Sequence, residues 1–152
     1  MKKYLILSSL ALALSACSGS TGDAPSSSTE TAIAQTVALK SDTRLAAVLV
    51  YADWCGSCKV LDPKLTEAKA EGPIEGLQHF VLDYTARDEA AFFASADQLG
   101  IGEPIRAKLG DTIKTGILLL VDIDDGTVVG DLRKDLSAAQ IRSAMESAAT
   151  EA

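Results

Sequence analysis

The sequence predicts an α/β domain built as a three-layer sandwich, with a mixed central sheet and helices on both of its faces. Three observations carry this. Apolar runs of strand character alternate with helical patterns between Ala46 and Leu99, two apolar runs flank Asp124-Asp125-Gly126, and a further helical pattern follows Ser137. Two parallel crossovers, then an antiparallel hairpin and a closing helix, put strands of both directions in one sheet that needs helical cover on each side.

The chain opens Met1-Lys2-Lys3 and then runs apolar from Tyr4 to Leu14, interrupted only by Ser8 and Ser9. A permanent membrane span needs about 20 apolar residues, so residues 1–16 read as a signal peptide, outside the fold. The segment ends Leu14-Ser15-Ala16-Cys17, which resembles the lipobox of bacterial lipoproteins. That resemblance implies cleavage before Cys17 and lipid attachment to it. Ser18, rather than an aspartate, then implies the periplasmic face of the outer membrane over the inner membrane. Firm anchoring takes more than one acyl chain, at about 0.8 kcal/mol per buried methylene. Residues 18–30, "SGSTGDAPSSSTE", are small and polar without apolar periodicity. They read as a flexible linker with a root-mean-square span of about 20 Å, so residues 17–30 form a tether and residues 31–152 the folded domain.

About 120 residues suffice for one domain with a single core, and no internal repeat is present. A monomer is expected. The formal net charge of the 152-residue chain is -7, and loss of the signal removes two lysines more. Nucleic acid is excluded as a partner, because phosphate binding needs a basic face.

Within the domain, the segment 31–44 reads as helix rather than strand. Ala46 to Ala52, "AAVLVYA", is a continuous apolar run suited to a strand buried on both faces. Cys58 to Ala70 places Val60, Leu61, Leu65 and Ala68 at helical spacing and stops at Gly72-Pro73. Leu77 to Asp83 reads as a strand and Asp88 to Leu99 as a helix rich in Ala and Phe. Gly116 to Leu132 is a hairpin signal in which Gly126 can supply a positive φ. Ser137 can cap a last helix that carries Ile141, Ala144, Met145 and Ala148 on one side.

The stretch "YADWCGSCKVLDPKL", Tyr51 to Leu65, holds two of the three cysteines. A redox couple, half of a metal site and a passive staple all fit such a pair. A structural staple across so short a loop removes little entropy from the unfolded chain. A structural zinc site needs four ligands, and the one histidine, His79, falls in a predicted strand where a packed or half-exposed side chain is expected. Copper(I) is satisfied by two thiolates.

From Ala46 to Ala148 the chain resembles the thioredoxin family, most specifically at Trp54-Cys55-x-x-Cys58-Lys59 with Pro63 downstream, where the family carries a helix-bending proline. "YADWC" and "LDYTARD", Leu82 to Asp88, are especially similar to the C-terminal periplasmic domain of membrane-embedded thiol-disulfide electron transporters. The resemblance implies that Cys55 is the attacking nucleophile and Cys58 the resolving thiol. It also implies that Trp54, Gly56, Ser57, Thr115 and Gly116 contact substrate, which approaches Cys55 by strand-like pairing. The chemistry is consistent: a cysteine at a helix start faces unpaired N–H groups and the positive end of the helix dipole, which favour the thiolate.

Two positions depart from the family pattern. Leu49 stands where many thioredoxins bury an aspartate that assists the resolving thiol. Gly116 stands where the family has a cis-proline against the disulfide. Pro104 is a rival for that role, but the "IRAKLG" after it is no buried strand. Glycine lacks the ring, which is expected to remove a steric guard beside the sulfurs, and a trans bond is expected there because a non-proline cis bond costs about 3 kcal/mol. Ser57 replaces the family's proline between the cysteines, so one more N–H is available to Cys55, while Asp53 opposes it. The expected pKa of Cys55 lies below the free-thiol value of about 8.5.

The function expected is therefore a lipid-anchored periplasmic thiol-disulfide oxidoreductase working through Cys55 and Cys58, with no cofactor. Its partners would be protein thiols and disulfides in the periplasm and a membrane-bound electron donor. A copper-binding module using the same cysteines and a non-catalytic interaction domain with a structural disulfide are the alternatives.

Overall fold

The computed structural model describes residues 38–152. The expected signal peptide, Cys17, the expected linker and residues 31–37 lie outside the described residues.

Leu45–Tyr51 forms the central strand β1 and is buried along nearly its whole length. Its side chains divide by the two-residue period of a strand. Ala46, Val48 and Val50 enter one apolar cluster and Leu45, Ala47 and Leu49 enter another on the opposite face. A continuous apolar run is what a strand covered on both sides requires. Helix α1 (Cys58–Ala70) follows, then β2 (Leu77–Asp83), which pairs parallel to β1 with Tyr51 opposite Asp83. Helix α2 (Glu89–Gln98) is capped by Asp88, whose carboxylate accepts from Ala91 N–H. Strands β3 (Ile117–Asp122) and β4 (Thr127–Arg133) form the hairpin, with Gly126 at a φ of 62° in its turn. Ser137 caps α4 (Ala138–Glu151) through a reciprocal capping box with Gln140.

Four features depart from the sequence reading. The sheet order is β2-β1-β3-β4 and β3 runs antiparallel to β1, so one connection is a parallel crossover, not two. The cause is a helix the periodicity did not announce, α3 (Gly102–Leu109), which lengthens the β2–β3 connection and returns the chain in the other direction. Its burial of only Ile105, Leu109 and the small residues Gly102 and Pro104 gives a weak apolar signal. Residues 38–44 are turn and loop rather than helix. There the buried Gln78 side chain accepts from Lys40 N–H and donates to the Ala38 carbonyl, satisfying groups a helix would have paired internally. Val60, expected on the packed stripe of α1, is exposed; Cys58, Leu61, Leu65 and Ala68 hold that stripe, and Val60 lies about 100° away from Leu61 around the axis.

Two helices cover each face. Phe92, Ala96, Ile101, Ile105 and Leu109 pack on one, and Leu61, Leu65, Ile141 and Met145 on the other. The fully buried large side chains among these, such as Phe92, Leu61, Ile105, Ile141 and Met145, each contribute about 1.5 to 3 kcal/mol. Arg142 of α4 donates to the carbonyl of Ala68, in the last turn of α1, and to that of Gly72 just past its end, and so ties the two helices together. Among the described residues no helix is long and apolar enough to cross a membrane.

His79 is half-buried on β2, opposite Ala47, and its Nδ1 has no hydrogen-bond partner. Burial, reinforced by the charges of Lys69 and Arg142, lowers its pKa from 6.5 to about 4. The unfolded chain therefore takes up this proton first on acidification. The stability that neutral His79 confers is complete above about pH 6.5 and is lost as pH falls toward about 4. Urea unfolding at pH 7, 5.5 and 4 should show wild type losing stability more steeply than His79→Gln; parallel curves would locate the acid sensitivity elsewhere.

Candidate active site

The chain leaves the end of β1 through two tight turns before α1 begins. Cys55 N–H bonds to the Ala52 carbonyl at 3.1 Å, and Lys59 N–H to the Cys55 carbonyl at 3.3 Å. The helix proper starts at Cys58, with Ser57 at its cap position, so Cys55 precedes the helix instead of beginning it. The Ser57 side chain makes no capping bond. Cys55 Sγ takes that place, accepting the N–H of Cys58 at 3.1 Å. The donor at this sulfur is thus Cys58 N–H, where the sequence pointed to Ser57 N–H.

Cys55 and Cys58 are joined as a disulfide, with Cα atoms 5.3 Å apart, well inside the separation such a bond tolerates. Their environments differ. Cys55 keeps 6 % of its surface and Cys58 none. Cys58 Sγ lies 3.8 Å from the Val50 carbonyl oxygen, and the same oxygen accepts Gly116 N–H at 2.8 Å. One carbonyl at the end of β1 therefore faces both the inner sulfur and the loop before β3.

Gly116 has φ 77°, a left-handed backbone that glycine adopts without strain. A Cβ at this position would sit 2.5 Å from Ser57 Cβ and 3.1 Å from Cys55 Sγ. The steric guard expected to be missing is present as backbone: the glycine closes on the sulfurs so tightly that a methyl group does not fit. Pro104, the rival position, lies in the first turn of α3, away from any strand start. Thr115 is half-buried beside Gly116, Ser57 is half-buried, and Gly56 is exposed with no atom within 4 Å of where a side chain would begin.

Trp54 is 43 % exposed, and it is held by residues that sequence reasoning did not single out. Its Nε1–H donates to the Thr85 carbonyl at 3.0 Å, and Asp53 N–H donates to Thr85 Oγ1 at 3.1 Å. Tyr84 meets the indole edge-on at 6.4 Å, and the Arg87 guanidinium lies over it at 4.3 Å. The parallel pairing of Tyr51 with Asp83 brings these two loops side by side. The available signal was the "LDYTARD" segment, but no spacing rule links it to a tryptophan so far back in the chain.

Leu49 belongs to the apolar cluster of α1 and α4. Among the described residues the buried carboxylate is Asp122, at the far end of β3 opposite Leu45, where it accepts from Asp124 and Asp125 N–H. Among the described residues no other carboxylate is buried, so the position of Leu49 has no buried acid in its place. His79 pairs with Ala47, well back along β1 from the cysteines, and no group of three His, Cys, Asp or Glu side chains comes together among the described residues.

Residues 27–92 match the family model for thioredoxin. No curated protein matches the chain.

Gly116→Ala adds both a left-handed alanine, costing about 1 to 2 kcal/mol, and contacts no Cβ tolerates. It should lower unfolding stability by at least about 1 kcal/mol in denaturant titration. Gly56→Ala, in open space, should change it by less than about 0.5 kcal/mol. Equal effects of the two would show that Gly116 does not pack on the disulfide.

Proposed function

We propose, from the premise that this chain carries a thioredoxin-family domain, that it is a periplasmic thiol-disulfide oxidoreductase tethered to the membrane by lipid on Cys17. The observation that supports the reading best is the asymmetric pair: Cys55 reaches the surface beside an exposed tryptophan, while Cys58 is fully enclosed. A partner can reach only the first sulfur, and the second is placed to displace it.

In the reducing direction, Cys55 thiolate attacks one sulfur of a partner disulfide. A mixed disulfide forms and the partner's other sulfur leaves as thiolate. Cys58, after losing its proton, attacks Cys55 Sγ; the partner's second sulfur leaves and takes up a proton. Two electrons pass to the partner, and the domain is left with the Cys55–Cys58 disulfide. A dithiol donor must then reverse the last step for another cycle, and a membrane-bound protein donor fits a tethered enzyme. Cys58 N–H stabilises the thiolate of Cys55 through a charge-assisted bond, the kind of interaction that contributes about 1.5 to 3 kcal/mol. With Leu49 in the buried position, the proton on Cys58 goes to water or to the departing partner thiolate rather than to a neighbouring carboxylate.

Trp54, Gly56, Ser57, Thr115 and Gly116 would form the surface on which the partner strand lies. Among the described residues no third His, Cys, Asp or Glu groups with the two sulfurs, so a copper(I) reading would rest on the two thiolates alone.

Cys58→Ala should accumulate a mixed disulfide between Cys55 and partner proteins, visible on non-reducing gels, and Cys55→Ser should accumulate none. The reduction potential should lie above about -300 mV, and thiolate absorbance should titrate below about 8.5. A potential below that limit, with no trapped partner, would leave a structural disulfide.

A further inference from the structure

We propose that Arg87 is a specificity-determining residue of this exchange, selecting polypeptide partners that carry a carboxylate next to the attacked disulfide; the inference rests on the oxidoreductase reading above.

Arg87 is the single non-glycine residue with a positive φ, 57°, among the described residues. Glycine, or asparagine with its local hydrogen bonds, suits that region, whereas a long side chain persists there only where the surroundings hold it. What holds it is visible. Its N–H closes a turn onto the Tyr84 carbonyl at 3.0 Å, and its guanidinium rests 4.3 Å from the Trp54 ring centre. Trp54 is fixed in turn by Thr85 and Tyr84 and directly precedes Cys55. The backbone strain is thus spent on placing a cation over the residue beside the nucleophile.

That cation is unpaired among the described residues. Arg106 is paired with Asp97, Arg133 with Asp131 and Arg142 with Glu146, while Arg44 donates to the Ala152 carbonyl. Three carboxylates stand close to Arg87 in sequence, Asp83, Asp88 and Glu89, and none forms an ion pair with it; Glu89 is exposed in the first turn of α2 and the other two are engaged elsewhere. Asp83 accepts from Thr85 N–H and Oγ1–H, and Asp88 accepts from Ala91 N–H at the start of α2. Among the described residues no carboxylate lies within ion-pair distance of this guanidinium, in a chain whose formal net charge is -7. Asp53 and Lys59, both exposed, flank the cysteines with opposite charges and offset each other. A guanidinium held over an aromatic face and exposed to solvent has N–H groups open to a carboxylate, and that placement favours an acidic residue in a strand laid across Trp54.

The test uses the full chain in its reduced form and two synthetic disulfide peptides that differ only in Glu or Lys beside the half-cystine. Wild type should favour the Glu peptide in kcat/KM by about five-fold at low ionic strength, the preference shrinking toward parity near 1 M salt. Arg87→Gly suits the left-handed backbone and so should fold; it should bring the ratio to about one. Arg87→Lys should keep the direction of the preference and Arg87→Glu reverse it. If Arg87→Gly slows both peptides equally and leaves the ratio intact, Arg87 only props Trp54 and the inference is overturned. Equal rates with both peptides in wild type would overturn it too. Failure of wild type to exchange with either peptide or with a small neutral disulfide would instead sink the oxidoreductase reading, and this inference with it.

Discussion

The Val50 carbonyl, near the end of the central strand, faces two elements that must meet. It accepts the N–H of Gly116 and lies against the inner sulfur of the disulfide. Gly116 can come so near only because it has no side chain and takes a left-handed backbone. The placement of the sulfurs, the line of the β3 entry and the surface open to a partner all follow from that approach. A proline ring is one way to wall off such a pair; here bare backbone does it, and the wall is closer than a side chain would permit.

The precision of that approach depends on the sheet behind it. β1 is sandwiched between two apolar clusters and paired on both edges, so its end has little freedom to move. The β1–β2 pairing carries the same order outward. It sets the Tyr84–Arg87 loop against the turn that holds Trp54, and the carbonyl and hydroxyl of Thr85 join the two loops. A reactive turn positioned by two strand ends is stiffer than one carried on a long loop, and pre-organisation of this kind lowers what a partner's binding must supply.

The electrostatics of the site are made by backbone more than by side chains. The amide of Cys58 faces the outer sulfur and a carbonyl faces the inner one. The buried position open to a carboxylate holds Leu49, which strengthens packing against Leu61, Leu65 and Leu118. Side-chain charge enters at the rim, in the Arg87 guanidinium and the exposed Asp53 and Lys59. Under the proposed function, such a site would stabilise its nucleophile by fixed dipoles and release the proton of the resolving thiol to solvent or partner.

Much of this was legible in the residues. α1 and β2 fall where their periodicity put them, the continuous run of β1 announced burial on both faces, and Ser137 capped the helix it was expected to cap. The Cys55–Cys58 spacing brings the two sulfurs within reach, because the turn that leads from Cys55 into α1 sets their Cα atoms 5.3 Å apart. Those are local properties, set by residues near one another in the chain. α3 was missed because it buries few large side chains, and the direction of β3 was missed with it. The fit of Gly116 on the disulfide, the exposure of Val60 and the grip of Thr85 and Arg87 on Trp54 were decided by the tertiary structure. Each depends on contacts between segments distant in sequence, and side-chain spacing carries no record of which strand ends will lie together.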